Sequence, residues 1–408
     1  MAVVRCAECL LADPQGRLDR AAIADRAVWR RAVGACSVRR MTLDDLPTPC
    51  LVLDLGVLRR NVAAMAKAIA KHPGVALRPH LKTAKSRDVA RMAAPDHGPI
   101  TVSTLAEASH FAEGGWSDQI YAVGITPRKL DAVAELNVAG AEVKVITDDL
   151  DAARAVAAHS GPVSALIEVD VGEGRGGLSP DDGALPEIAA ALGPRLAGVL
   201  AHAGHSYAER TPEAMAAVAE AERAGVVRAA ERLRAAGHAV GTVSLGSSPT
   251  ALHARSLEGV TEVRAGVYMF GDLFQMQLGT HGPDGIAVTV LASVIGRRPE
   301  RNAVLLDAGA LALSKDRSTE KAPRDYGFGL VLDRAGRPAF GEAIVARVHQ
   351  EHGEARGEAP LPLERLPVGA RVRVAPNHSC LTAAAHDRYH VVDGGERVVA
   401  VWERVNGW

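Results

Sequence analysis

The sequence predicts an α/β chain: a parallel (β/α)8 barrel of the TIM type followed by a second, mostly β domain. Short apolar runs recur eight times, at 75–78, 99–103, 119–123, 142–146, 163–170, 196–202, 241–245 and 260–264, with helix-compatible stretches between them. That alternation builds a parallel sheet with crossover helices. No Gly-x-Gly-x-x-Gly follows the first strand, which disfavours a doubly wound sheet. After residue 284 the texture changes to β-rich runs at 286–295, 303–307, 342–348 and 371–374, separated by Gly- and Pro-bearing turns at 334–338 and 352–362.

Three segments follow. Residues 1–40, rich in Arg and Ala, read as a peripheral extension, and Met41 is an alternative start. Residues 41–284 form the barrel domain and 285–408 the β domain. Within the first, Cys50–Asp54 reads as a strand, and Leu58, Val62, Met65 and Ile69 mark one face of a helix over 56–71. Further helices are predicted at 86–93, 104–114, 127–139, 149–158 and 211–237. The interval 249–257 is the least regular.

Composition excludes several classes. Hydrophobic residues make up 48% and charged residues 23%, with only 3% aromatic, so the core is built mainly from Ala, Val and Leu. A formal net charge of -1 and the lack of a basic block with interleaved aromatics argue against nucleic acid as a partner. No apolar run has the length to span a bilayer. Five cysteines, Cys6, Cys9, Cys36, Cys50 and Cys380, are too scattered for a disulfide framework. With no secretion-signal pattern, a cytoplasmic setting is expected. Cys6 and Cys9 form one CxxC near Cys36, short of the four ligands that a structural zinc site needs.

In a barrel, chemistry collects at the C-terminal strand ends. The first predicted strand ends Arg78-Pro79-His80-Leu81-Lys82, where an amine is placed to attack a carbonyl; a basic turn with solvated lysines is the alternative. Gly246-Ser247-Ser248 after the seventh strand offers backbone N–H groups and hydroxyls to a phosphate, or is simply a turn. An amine and a phosphate cradle together suggest pyridoxal 5'-phosphate. Arg175 and Arg264 are candidates for charge beside its ring, or else partners of Glu262 or Asp170 in structural ion pairs. His378 and Cys380 stand two residues apart, so an extended segment turns both to one side, where imidazole and thiolate suit Zn2+.

These segments resemble the fold type III (alanine racemase-like) pyridoxal phosphate enzymes, and among them the D-serine dehydratase and D-threonine aldolase group. The likeness runs from about Leu46 to Trp408 and rests on Arg78-Pro-His-Leu-Lys82-Thr, Thr101-Val-Ser-Thr-Leu-Ala-Glu-Ala108, Asp170-Val-Gly-Glu-Gly-Arg175-Gly-Gly and Pro376-Asn-His378-Ser-Cys380. It implies that Lys82 carries the cofactor as a Schiff base, and that Arg175, His202, Gly246, Ser247, Ser248, Arg264 and Tyr268 contact it. His378 and Cys380 would hold a divalent metal beside it, Zn2+ first, with Mn2+ or Mg2+ as alternatives. For a second acid–base residue the candidates are His202, His205 and Tyr207, of which Tyr207 is preferred.

Cys380, Gly204-His-Ser-Tyr207 and Ser244-Leu-Gly-Ser-Ser-Pro-Thr250 resemble the dehydratase side of the group. Arg264 departs from it, standing where those enzymes have a histidine. The resemblance therefore implies a lyase for D-β-hydroxy amino acids, D-serine dehydratase first. D-threonine aldolase or a D-3-hydroxyaspartate dehydratase or aldolase is the alternative. A homodimer is expected by analogy. A racemase, with Tyr326 or Tyr389 as second base, would leave the His378/Cys380 pair without a role. A cofactor carrier without activity would leave the β domain unexplained, and a metal-only hydrolase would leave Lys82 idle.

Overall fold

The computed structural model describes residues 41–408. The extension expected at 1–40, with Cys6, Cys9 and Cys36, lies outside the described residues. The described chain forms two compact units: Val57–Ile286 with Arg404–Trp408, and residues 41–56 with Ala287–Glu403.

The first unit is a parallel eight-stranded barrel. Its strands are β2 (Ala76–Pro79), β3 (Ile100–Val102), β4 (Asp118–Gly124), β5 (Glu142–Thr147), β6 (Ser164–Val169), β7 (Leu196–Ala201), β8 (Thr242–Leu245) and β9 (Glu262–Ala265). They run in the order β2-β9-β8-β7-β6-β5-β4-β3. The two end strands are joined by a parallel bridge between His80 and Thr101, where the Leu81 N–H donates to the Thr101 carbonyl at 2.8 Å. Ile120, Ile146, Leu166 and Leu200, from four neighbouring strands, form one apolar cluster. β7 and β8 approach closely at Gly198, where a Cβ would sit 2.0 Å from the Thr242 carbonyl oxygen.

The longest helix, Pro212–Ala235, is capped by Thr211, whose side chain accepts from the Ala214 N–H, and has proline in its first turn. It buries Met215, Ala219, Val226, Ala229 and Leu233 at spacings of three, four and seven, as an amphipathic helix against a barrel wall requires. The doubtful interval near 249–257 holds a short helix, Ser248–His253. Charge enters the barrel wall as a network. Arg78, 4% exposed, donates from Nε to Glu262 (2.8 Å) and from its terminal nitrogens to Asp118, which also takes Lys144 at 2.8 Å.

The second unit is a nine-stranded sheet. It contains β1 (Cys50–Asp54), β10 (Val288–Arg298), β11 (Ala303–Leu306), β12 (Leu330–Leu332), β13 (Ile344–Val348), β14 (Gly353–Arg356), β15 (Arg371–Ala375), β16 (Arg388–Val392) and β17 (Val398–Glu403). Four of these are the predicted β runs. β12, β14, β16 and β17 were not among them; β14 falls inside the segment 352–362 taken as a turn. One boundary also differs. The start of the barrel at residue 41 does not hold for 41–56, because β1 pairs antiparallel with β10 and parallel with β16. Leu43, Leu46, Cys50 and Val52 pack with Leu291, Val392 and Val398. Chain order suggested the barrel, but burial of this apolar strand is completed by partners far along the sequence. The same burial pushes the Cys50 thiol up to about 12, so it behaves as a core side chain. No helix among the described residues is long and apolar enough to cross a membrane.

Candidate active site

The two lysines of the first strand end are separated by their surroundings. The turn Leu81–Ala84 is closed by the Ala84 N–H on the Leu81 carbonyl (3.1 Å), and Lys85 follows with a left-handed backbone, φ 50°. Lys85 Nζ lies 3.1 Å from the fully buried carboxylate of Glu107, which also accepts from the Ser103 N–H and the Thr104 hydroxyl. Lys82 is exposed. The C-terminal residues hold this turn from outside: Arg404 Nε donates to the Ala84 carbonyl (3.1 Å) and the Val405 N–H to the Lys85 carbonyl (2.8 Å).

His80 and His202 lie within electrostatic reach of Lys82 and of Arg264, and His202 also of Arg175. Burial, followed by the charges of Lys82 and Arg264, pushes His80 well below its ordinary value. Burial also takes His202 down to about 3; its bond to the Gly246 carbonyl opposes this, and Arg175, Arg264 and Lys82 reinforce it. Both rings are therefore neutral at pH 7. The Nδ1 of His202 donates to the Gly246 carbonyl at 2.8 Å, which leaves Nε2 as an acceptor.

The sign of this burial gives a testable pH dependence. The unfolded chain protonates these imidazoles near 6.5 and the fold resists it, so stability falls as the pH drops below about 6.5, for His202 down to about 3. Each histidine contributes a slope of about 1.4 kcal/mol per pH unit in that window. Urea unfolding between pH 7 and pH 5 should show this loss, and His202→Asn should remove one increment of the slope. A slope unchanged in the variant would contradict it.

Arg264 is fully buried. It donates to the Ser244 hydroxyl and to the Ala201 carbonyl, each at 2.6 Å, and Ser244 donates on to Glu262 at 2.6 Å. Burial brings its guanidinium down to about 10, with Glu262 foremost among the groups that oppose this, so it stays charged at neutral pH. Its link to Glu262 thus runs through Ser244, a residue whose part the sequence did not single out. Arg175 is half-exposed and sits 3.5 Å from Glu168 and 3.7 Å from Glu173. Asp170 pairs with neither arginine. One of its carboxylate oxygens accepts the N–H groups of Gly172, Glu173 and Gly174 and folds the arginine loop on itself.

The predicted phosphate turn is buried but partly committed to itself. Gly246 N–H donates to Glu222 (3.0 Å) and Ser247 N–H to the Thr250 hydroxyl (3.0 Å), so these two donors serve the fold, contrary to the expectation that the backbone of this turn faces a phosphate. The Ser247 hydroxyl meets Ser206 (2.9 Å), and that of Ser248 accepts from the Tyr268 N–H (3.2 Å). Tyr268 is buried with no partner on its hydroxyl among the described residues, and burial raises its pKa. The Tyr207 ring stacks on Phe274 with centroids 6.3 Å apart.

These residues fit a pyridoxal phosphate. The strand ends around Lys82 pack tightly at two glycines: a Cβ on Gly266 would meet the His80 carbonyl at 2.7 Å and the Thr83 hydroxyl at 2.9 Å, and one on Gly246 the Arg264 carbonyl at 2.3 Å. His80 Nδ1 and the Tyr268 hydroxyl are buried polar atoms without partners among the described residues. A fixed buried cation, neutral imidazoles and an exposed amine complete the set.

The β unit carries His378 and Cys380. His378 occupies the N-cap of the short helix Ser379–Ala384, and both side chains are part-exposed; Cys380 lies inside the helix, so the extended segment expected to turn both to one side ends at His378. The Nδ1 of His378 lies 3.8 Å from Asp316 Oδ2. Burial works against the ionised form of Asp316, but His378 and Ser318 outweigh it and hold the carboxyl below its ordinary range. An imidazole and a thiol are donors that suit a divalent metal whose further positions go to solvent or substrate; among the described residues no group of three His, Cys, Asp or Glu side chains could hold one. Asp316 sits in a polar loop with no motif, so only its place beside His378 reveals it.

Comparison with known proteins agrees with this construction. Residues 53–273 match the family described as alanine racemase, N-terminal domain, and residues 287–392 the family described as putative serine dehydratase domain. The chain is 44% identical over 383 residues to a D-threo-3-hydroxyaspartate dehydratase of Delftia sp. strain HT23, covering 90% of this chain and 99% of that protein. It is 28% identical to a D-serine dehydratase of Dictyostelium discoideum, covering 90% and 98%. A solved structure of a metal-free variant of D-threo-3-hydroxyaspartate dehydratase superposes with a TM-score of 0.87 at 41% identity, covering 90% of this chain and all of that one. With a matching barrel domain, a matching dehydratase domain and relatives aligned over nearly their whole length, the chain belongs to the fold type III, alanine racemase-like pyridoxal phosphate enzymes and is a lyase of that family.

Proposed function

We propose that the protein is a metal-dependent dehydratase of D-β-hydroxy amino acids, with D-threo-3-hydroxyaspartate as its best substrate and D-serine as a poorer one. The observation that supports it most is Cys380. It supplies a thiolate two residues after His378, in a chain that aligns with 99% of the length of a hydroxyaspartate dehydratase. The likeness to that enzyme exceeds the likeness to the D-serine dehydratase, which reverses the order expected from sequence motifs alone.

In this proposal Lys82 holds the cofactor by its aldehyde carbon. The side chains of Ser248 and Tyr268 hold the phosphate; Arg264, Arg175 and His202 surround the ring. Pyridoxal phosphate, when bound, supplies an electron sink for negative charge developing at Cα. Lys82, once freed from it, takes the Cα proton. Burial and the neighbouring cations make His80 and His202 weak bases, which leaves the amine as the base of that cluster. The metal on His378 and Cys380 supplies a Lewis acid for the β-hydroxyl, and Tyr207 is the second acid–base residue. Loss of hydroxide and hydrolysis of the resulting enamine give a keto acid and ammonia: oxaloacetate from hydroxyaspartate, pyruvate from D-serine.

The test is one set of assays on purified holoenzyme. Ammonia and keto acid should form in equal amounts, fastest from D-threo-3-hydroxyaspartate. Glycine with glyoxylate or acetaldehyde, from hydroxyaspartate or D-threonine, would mean carbon–carbon cleavage and overturn the dehydratase assignment. Pyruvate formed faster than oxaloacetate would restore D-serine to first place.

A further inference from the structure

The loop that carries Asp316 is braced by buried hydrogen bonds. The buried side chain of Asn377, immediately before His378, donates to the Asp316 carbonyl (3.0 Å) and the Gly327 carbonyl (2.7 Å), and accepts from the Thr319 hydroxyl (3.2 Å). Thr319 in turn accepts from the Tyr326 N–H (3.1 Å). Asp316 itself spends one oxygen on Ser318, through the Ser318 N–H at 3.0 Å and its hydroxyl. The other oxygen faces Nδ1 of His378. The neighbouring Arg317 is turned away, to Asp325 at 2.6 Å and the ring of Phe328, so its charge is spent elsewhere.

We infer that Asp316 is a positioning residue for the metal: it fixes the ring of His378 with the proton on Nδ1 and the lone pair of Nε2 directed to the metal. A histidine bound to a metal through one nitrogen commonly donates its other N–H to a carboxylate, which sets the tautomer and raises the ligand's basicity. The 3.8 Å contact is of ion-pair length. A cation on Nε2 makes Nδ1–H a stronger donor, which draws the pair together. Asn377 binds the Asp316 backbone and is the residue next to His378 in the chain, so both members of the pair are referred to one rigid bracket. This rests on the metal site proposed above, and extends it to a residue that does not itself bind the ion.

The experiment measures zinc affinity of the holoenzyme by competition with a chromophoric chelator, and compares wild type with Asp316→Ala, Asp316→Asn, His378→Ala and the Asp316→Ala/His378→Ala double variant. Asp316→Ala should weaken zinc binding by roughly 10- to 100-fold, while the cofactor absorbance stays unchanged. Asp316→Asn, whose amide oxygen still accepts from Nδ1–H, should lose less. Adding Asp316→Ala to His378→Ala should cause no further loss, because the effect passes through the imidazole. Should Asp316→Ala fail to fold, the Asn variant carries the comparison. Zinc affinity within twofold of wild type in the Asp316 variants, with His378→Ala impaired, would overturn this inference and leave the metal site standing. A further loss in the double variant would also overturn it. Unchanged affinity in His378→Ala would instead overturn the metal site.

Discussion

Lys82→Ala is expected to abolish the near-visible absorbance of lysine-bound cofactor and to lower turnover on the order of 10^4-fold, the upper range for loss of a general acid–base residue. The amine has two duties in the proposed reaction, holding the cofactor and moving the Cα proton, and no neighbour replaces it. His80 and His202 are made weak bases by burial, and Lys85 is engaged with buried Glu107. The informative control is Lys85→Ala. It should keep the absorbance band but destabilise the protein by about 3–5 kcal/mol, because Glu107 is left as an uncompensated buried charge. The two lysines, three residues apart, thus separate into a spectral defect and a stability defect. Visible spectra and denaturant midpoints of the two variants measure both. A persistent band in Lys82→Ala, or its loss in Lys85→Ala with the protein still folded, would reverse the assignment.

Replacement of either His378 or Cys380 by alanine should produce the opposite pattern: cofactor absorbance intact, metal lost, turnover down by on the order of 10^3-fold or more, as expected when a Lewis acid contributing several kcal/mol is removed. Chelation of the wild type should match it, and added Zn2+ should restore the chelated wild type but not the variants. In the proposed site the imidazole and the thiolate are two of the ligands, so neither alone retains the ion at low concentration. Metal content by elemental analysis, alongside ammonia release, checks the result. Full activity in metal-free protein would remove the metal from the proposed reaction.

The pH behaviour has a different origin. Acid loss of stability comes from imidazoles that the barrel keeps neutral by burial, with fixed cations adding to the effect. It belongs to the fold as well as to the chemistry, and should persist in a variant that lacks Lys82.

Much of this architecture was legible in the sequence because it depends on local periodicity. The eight barrel strands and the long helix at Pro212–Ala235 follow from apolar spacing, and the resemblance at Arg78–Thr83 and Pro376–Cys380 indicated the cofactor and metal chemistry. The Glu262–Ser244–Arg264 chain was only partly visible. An ion pair was among the alternatives, but the serine between its members comes from a neighbouring strand, and cross-strand register is set by the closed sheet. β1 shows the same limit: five apolar-rich residues read as a strand, yet nothing within them chooses between two sheets.

The exposed Lys82 and the paired Lys85 mark the division most clearly. Sequence by itself determined that a lysine stands at the end of the first barrel strand, and that an imidazole and a thiol recur two residues apart in the β unit. Tertiary structure decided which lysine is committed to an ion pair, which imidazoles are kept neutral, and that Asp316 stands behind His378. Those properties depend on burial and on the distance to groups remote in the chain, and a one-dimensional pattern contains neither.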